Sequence, residues 1–365
     1  MADTIRVGIV GANAKESWAS RAHLPAFKGG IPGAELAAVG TTRQESAEES
    51  AQVFGAKLAF WDHRKLVESP DVDVVAVSVK LPGHYQIAMD ALNAGKHVYV
   101  EWPLGTNTAQ AEEMATLASQ KGVRTAVGLQ SRHSAAYRQM RKLIADGYIG
   151  EVLTVNLRQI VSGVLGRPSG RMWMRDKEAG ANTLSIPFGH AVDGLTTVAG
   201  DVAALSALVT TQVKQWRETD TGKVYDVTSP DQVMVSGRMH SGAALSMHVG
   251  SVARQGAGHR MEVHGTEGTL AIEGTGSPHN FPSRVLGAQG DAKELQEIQI
   301  EDDGWVREAD LKGAAVNIGR LWKAFGDAIR DGKPFDADFA AAVRHHKLMD
   351  TVQRASDTGQ RQAVA

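Results

Sequence analysis

A carboxylate and an indole stand side by side at Glu101 and Trp102, near the end of the run Gly-Lys-His-Val-Tyr-Val-Glu-Trp-Pro-Leu from Gly95 to Leu104. Gly95 ends a helix, Val98 to Val100 forms a short apolar strand, and the polar pair follows. Open α/β sheets take their ligands at the carboxyl ends of their strands, so the pair is expected where cofactor and substrate meet. A second polar concentration is Arg167-Pro168-Ser169-Gly170-Arg171-Met172-Trp173-Met174-Arg175-Asp176-Lys177. Guanidinium groups grip carboxylate, sulfonate or phosphate oxygens in pairs, and an indole face stacks on a sugar ring. Arg171, Trp173, Arg175 and Lys177 are therefore candidates for holding an anionic sugar. A solvated basic loop accounts for the same composition equally well.

Two further stretches have nucleotide-binding character. Ile5 to Val10 is an apolar strand, and Gly11-Ala12-Asn13-Ala14-Lys15-Glu16-Ser17-Trp18 turns into a helix expected to run through His23. A dinucleotide loop needs a tight turn and bare backbone, so that helix amides reach the pyrophosphate. Only Gly11 holds its expected place. Asn13 tolerates left-handed backbone, Ala14 is small, and Lys15 or Ser17 can add contacts. Taken alone, the motif is divided evenly between a dinucleotide loop and an ordinary strand-helix turn. After a second strand, Glu35 to Gly40, the run Thr41-Thr42-Arg43 falls where the adenosine ribose of a nicotinamide cofactor sits. Hydroxyls and a guanidinium in place of an acidic residue favour NADP over NAD; an Arg43 that merely caps a surface turn is the plain alternative.

The elements that must position these groups alternate strand and helix. Helix Gln44 to Phe54, strand Lys57 to Phe60 and helix His63 to Glu68 precede Val72-Asp73-Val74-Val75-Ala76-Val77-Ser78-Val79, whose β-branched run suits a parallel strand buried on both faces. Helices Tyr85 to Ala94 and Thr108 to Gln120 and strand Arg124 to Leu129 complete a doubly wound series. The second half reads as strands Val152 to Val161, Ala204 to Val213, Gln232 to Met239, Ala243 to Ser251, His259 to His264 and Thr269 to Ile272. A helix is expected from about Asn182 to Val198, a surface loop over Gly274 to Asp291, and amphipathic helices over Asn317 to Asp331 and Asp338 to Ser356.

The bounds agree with a two-domain, small-molecule protein. The 365 residues are 42% apolar and carry a net charge of -2 without long single-sign runs, so neither nucleic acid nor a membrane surface is an expected partner. With no cysteine, a metal site would rest on histidine and carboxylates. The adjacent His345 and His346 diverge on a helix, and no metal is expected. No secretory signal or membrane span is visible, and a cytoplasmic location is expected.

Lys80 to His84, Ala91 to Val98 and Glu101 to Leu104 resemble the Gfo/Idh/MocA family, the glucose-fructose oxidoreductase and inositol dehydrogenase group. The likeness continues through Gly128 to Arg132, Gly147 to Gly150, Gly189-His190, His264 to Leu270 and the helices between Trp322 and Ala355. The resemblance implies an α/β chain: a Rossmann domain with a doubly wound parallel sheet over residues 1–130, binding NAD or NADP, then an α/β domain over 131–365. The second domain's large open antiparallel sheet would carry the substrate and the contacts of a homodimer or homotetramer. Cofactor contacts are implied for Gly11, Ala12, Asn13, Lys15 and Trp18 in the first loop, and for Thr42 and Arg43 after the second strand. Val79, Lys80, Leu81 and His84 follow the central strand in the same role, and Glu101, Trp102 and Gln130 complete it. Substrate contacts are implied for Trp102, Arg132, His133 and His190, beside Arg171, Trp173, Arg175 and Lys177.

Dehydrogenases of the family usually have Glu-Lys-Pro where this chain has Glu101-Trp102-Pro103, and an aspartate where it has Ile186. The family's acid-base histidine is matched by His190. Tryptophan supplies neither proton nor charge, so Lys177 is a candidate to replace the lost lysine, and Tyr137 or His133 to provide another proton relay. The same departures mark the branch holding the yeast galactose-pathway corepressor, a dinucleotide-binding sensor. The expected function is hydride transfer on a sugar or glycoside, anionic by the basic loop. Its most specific form is an NAD-dependent glycosidase such as a sulfoquinovosidase, which oxidises carbon 3, eliminates the aglycone, adds water and returns the hydride. A conventional sugar dehydrogenase and a non-catalytic sensor are the alternatives.

Overall fold

The computed structural model describes residues 4–301, 311 and 313–364. Contacts divide the chain into two compact units, residues 1–130 with 303–346 and residues 131–302 with 347–365. Both are α/β.

In the first unit six parallel strands, β1 (Ile5–Val10), β2 (Ala34–Gly40), β3 (Leu58–Phe60), β4 (Val74–Val77), β5 (His97–Val100) and β6 (Thr125–Val127), lie in the order β3-β2-β1-β4-β5-β6. The order reverses between β1 and β4, and that switch point opens the crevice in which doubly wound sheets bind ligands. Every residue of β4 is fully buried, as its unbroken Val-Val-Ala-Val run requires of a strand covered on both faces. The helix following β1 differs from its expected form: it breaks at Ala22 into Trp18–Arg21 and His23–Lys28.

A segment expected in the second domain belongs to the first unit. Helix Ala314–Asp331 sets Ile318, Leu321, Trp322, Phe325 and Ile329 in the first core, an apolar stripe at helical spacing. After it the backbone amide of Val127 donates to Ala337 O at 2.7 Å, closing the edge of β6. The physical reason is local: β6 would otherwise leave an open edge, and the stripe has an apolar sheet to cover.

The second unit holds a nine-stranded sheet in the order Gln296–Ile298, Arg284–Gln289, Gly268–Gly274, Gly258–Gly265, Val152–Ser162, Ala244–Val252, Gln232–Met239, Val202–Thr210, Gln362–Ala363. All six strands read from the sequence are present, but the sheet is mixed. Val152–Ser162 and Ala244–Val252 pair in parallel at its middle. They are distant in sequence, joined by a path through the basic loop, helix Gly189–Ala199 and five strands, so no hairpin forces them antiparallel. Alternate residues Val155, Leu157, Leu245, Met247, Val249, Met261 and Val263 line one core with helices Ala135–Ala145 and Gly189–Ala199. Among the described residues no helix is long and apolar enough to cross a membrane.

Candidate active site

At the switch point Gly11 turns with φ +92°, and a Cβ there would stand 2.2 Å from the Ser78 carbonyl oxygen. Only glycine fits such a crossing. The rest of the loop is bonded inward. The amides of Gly11 and Ala12 donate to Gly40 O at 2.8 and 3.1 Å, and that of Ala14 to Ser50 Oγ at 3.1 Å. Asn13 takes no left-handed backbone; its Oδ1 accepts instead from the amides of Lys15 and Glu16 at 2.9 and 3.3 Å. Ser17 Oγ accepts from Ser20 N at 2.9 Å, capping the short helix. The exposed Lys15 ammonium pairs with Glu49 at 3.0 Å.

Three buried polar atoms at this end of the first unit have no hydrogen-bond partner among the described residues: Trp18 Nε1, Ser78 Oγ directly after β4, and Gln130 Oε1 shortly after β6. One indole donor, one hydroxyl and one amide acceptor suit the hydroxyls, phosphates and carboxamide of a nicotinamide dinucleotide, so the residues present fit that group. Thr42 and Arg43 are exposed beyond β2, while Thr41 Oγ1 is tied to Arg43 O and Ser46 Oγ at 3.0 and 2.7 Å. Val79 is half-buried, Lys80 exposed and Leu81 buried in the turn that closes β4. The expected cofactor contact His84 is 2% exposed; its Nδ1 donates to Pro103 O at 2.9 Å and its Nε2 lies 3.2 Å from Val79 O. Burial holds His84 below its usual imidazole range, so one ring nitrogen carries the hydrogen, and the ring ties the ends of β4 and β5 together.

Beyond β5, Glu101 Oε1 accepts from Tyr99 Oη at 3.2 Å and from His23 Nε2. Trp102 does not offer an open stacking face. It is 5% exposed, with its ring against His346 at 4.9 Å and His345 at 5.9 Å, both on helix Phe339–Thr358. Burial, then the charge of His345, pushes His346 down to about 4.

The second unit collects imidazoles around the start of helix Gly189–Ala199. The His190 ring stacks on His279 at 4.0 Å between centroids and 16° between planes, and His279 Nδ1 meets Ser277 Oγ at 2.5 Å. The stretch expected to be an exposed loop thus buries Ser277 and His279 and then enters strand Arg284–Gln289. Tyr137 Oη donates to His259 Nε2 at 3.3 Å, His259 Nδ1 donates to Gln159 Oε1 at 3.0 Å, and Gln159 Nε2 reaches Pro187 O at 3.5 Å. Burial pushes His259 down to about 3 and, with the charge of Asp193 second, drives Tyr137 far up, so the chain is held in one tautomer. Arg132 donates through Nε to Asp193 Oδ2 at 3.3 Å, and Asp193, one helical turn after His190, is fully buried. Ile186 lies half-buried in the π-helical turn Leu184–Phe188, and His133 is half-buried. His279, His259, Gln159 and Asp193 were missed in the sequence because none falls in a recognisable spacing.

The basic loop is less open than its composition promised. Arg167 lies 4.8 Å over the Trp216 ring and donates to Gly166 O at 3.0 Å; Arg175 lies 5.1 Å over Tyr225. Arg167 also pairs in parallel with the hairpin of Gln215–Glu218 and Val224–Asp226 through strand Gly166–Arg167. Trp173 is half-buried, Arg171 is exposed, and exposed Lys177 sits 3.8 Å from the Glu178 carboxylate.

The family model for the Gfo/Idh/MocA oxidoreductases, with an NAD-binding Rossmann fold, matches residues 5–129, and that for the Gal80p C-terminal domain matches residues 136–274. The chain is 30% identical to 1,5-anhydro-D-fructose reductase of Ensifer adhaerens over 65% of its own length and 68% of that protein. It belongs to the Gfo/Idh/MocA oxidoreductase family. Within the family it also resembles dehydrogenase aclE of Aspergillus oryzae, 34% identical over 57% of this chain and 58% of that one. The galactose/lactose metabolism regulatory protein GAL80 of Kluyveromyces lactis is 27% identical over 74% and 64%. The match thus spans less than two thirds of either of these two relatives. A crystal structure of a super-repressor mutant of Gal80p from Saccharomyces cerevisiae shares the fold, with a TM-score of 0.88 and 21% identity, covering 99% of this chain and 98% of that one.

Proposed function

We propose that this chain is an NAD(H)-dependent oxidoreductase of a sugar or glycoside, with His190 as its acid-base group. The observation that carries the reading is the buried imidazole cluster of the second unit, in which His190 stacks on His279 beside the bonded set Tyr137, His259 and Gln159. Burying several imidazoles costs stability that apolar side chains would not, and such arrangements belong to sites that handle protons. When bound, NAD(H) supplies the acceptor or donor of a hydride. His190 takes the hydroxyl proton of the carbon being oxidised and returns it on reduction. Tyr137 orients His259 and keeps its own hydrogen, and Asp193 fixes the Arg132 guanidinium. Trp102 holds no titratable group, and Lys177 is at the surface, so the acid-base work rests with the histidines.

In its finer form the reading is a recycling enzyme. A glycosidase cycle that oxidises carbon 3 and removes the hydrogen at carbon 2 needs a remodelled acid-base set, and Trp102 and Ile186 in place of the family's lysine and aspartate support it over a conventional dehydrogenase. A sulfoquinovosidase is one example, though Arg167 and Arg175 are engaged with aromatic rings and Lys177 sits beside the Glu178 carboxylate. Thr42 and Arg43 support acceptance of NADP as well as NAD. The test is mass spectrometry and absorbance of the denatured, purified protein. Retained nicotinamide cofactor with aryl glycoside cleavage supports recycling, and turnover of added NAD(P) with a free sugar supports the dehydrogenase. A second reading, a dinucleotide-binding regulator, is favoured by Trp102 and by the match to the Gal80p C-terminal domain. Bound cofactor without turnover of any sugar or glycoside would select it.

A further inference from the structure

Glu101 is held by a set of side chains to which neither motif nor spacing pointed. Trp322, on helix Ala314–Asp331, donates its indole N–H to His23 Nδ1 at 2.9 Å. An indole nitrogen can only donate, so Nδ1 must present its lone pair, and the ring hydrogen sits on Nε2, which faces Glu101 Oε1. Tyr99 donates to that same oxygen at 3.2 Å, and burial keeps its hydroxyl protonated. Both bonds therefore fall on Oε1, and Oε2 has no protein partner among the described residues. A Cβ on Gly128 would stand 2.6 Å from Oε2, so the glycine leaves that oxygen room.

The cage is rigid. His23, Tyr99 and Trp322 are wholly buried, while the Glu101 side chain is 13% exposed. Tyr99 and Trp322 stack at 4.9 Å and 25°, with His23 edge-on to both at 5.1 and 6.0 Å. His23 Nε2 already carries the ring hydrogen and Nδ1 is taken by the Trp322 N–H, so the imidazole has no open lone pair with which to accept a proton from Glu101. The network orients a carboxylate and does not shuttle protons.

We propose that Trp322 and His23 are positioning residues that lock Glu101 with Oε2 presented at the end of β5, so that this point of the first unit selects a hydrogen-donating group of the nicotinamide half of the cofactor, a ribose hydroxyl or the carboxamide. The inference rests on the cofactor reading of Glu101. It adds that a residue of the returning C-terminal helix sets the orientation through one imidazole tautomer.

Equilibrium NADH binding, read by fluorescence on the full chain, tests it. His23→Leu and Trp322→Phe are expected to weaken binding about tenfold. His23→Gln, which can donate to Glu101 and accept from Trp322, is expected to stay within about threefold of the wild type. In a Glu101→Gln background His23→Leu should cost nothing more, because it acts only through that carboxylate. Additive losses, or equal losses for the Leu and Gln variants, would overturn the proposal. Nitrogen NMR of the cofactor-free protein gives an independent readout: His23 should carry its hydrogen on Nε2, with Nδ1 as acceptor, and a hydrogen on Nδ1 would overturn it. A wild type that binds no nicotinamide dinucleotide sinks the cofactor reading, and the nitrogen spectrum then decides the His23–Glu101 lock separately.

Discussion

Tyr137 carries a hydroxyl that sequence proximity put forward for proton transfer, yet that hydroxyl is a buried donor bonded to His259. Its replacement separates positioning from chemistry. Tyr137→Phe leaves His259 Nε2 without its donor, and is expected to cost about 1–2 kcal/mol of stability in urea unfolding and only a few-fold in kcat. His190→Ala should instead lower kcat about 10²- to 10⁴-fold with NADH affinity unchanged. Equal losses of kcat for the two variants would return Tyr137 to the chemistry. The sequence could name His190 because it follows Gly189 in a family-like spacing. It could not name His279, because a Gly, Ser and Pro-rich stretch has no period from which burial can be read.

Among the elements, the turn after β1 shows how a motif can be legible while its chemistry is not. Gly11 was readable as the residue that must lack a side chain, and its close approach to Ser78 explains why. Gly11→Ala should abolish measurable NADH binding and lower the unfolding midpoint, since the backbone conformation and the carbonyl contact both resist a Cβ. Binding within threefold of wild type would show that β1 and β4 can part without losing the site. The bonding of Ala14 to Ser50 and of Lys15 to Glu49 was not readable, because both partners lie on helix Gln44–Phe54. In the basic loop, likewise, residue types were visible and the rings beneath Arg167 and Arg175 were not.

For the whole molecule, buried histidines make stability depend on pH. His259 and His346 titrate at about 3 and about 4 in the folded chain, against 6.5 unperturbed. Above about pH 6.5 neither state binds the extra proton and the folded chain has its full stability. Below it the unfolded chain takes up protons that the native chain refuses, so stability falls with pH by about 1.4 kcal/mol per unit for each group, down to the folded values. Moving from about pH 7.5 to about pH 5 should cost about 2 kcal/mol per histidine, seen as a lower urea midpoint. His346→Leu should flatten its share of the slope, and a midpoint equal at the two pH values would sink the argument.

By itself the sequence determined the alternation of strand and helix in the first unit, six strands of the second and the family. These depend on periods of two and 3.6 residues and on short motifs, which neighbouring residues carry between them. Tertiary structure alone decided that Trp102 faces His345 and His346, that helix Ala314–Asp331 belongs to the first unit, and that Trp322 fixes the tautomer of His23. His23 and Trp322 are 299 residues apart. No local pattern encodes such a pair, because which buried donor meets which acceptor is settled only when the helices and sheet have packed.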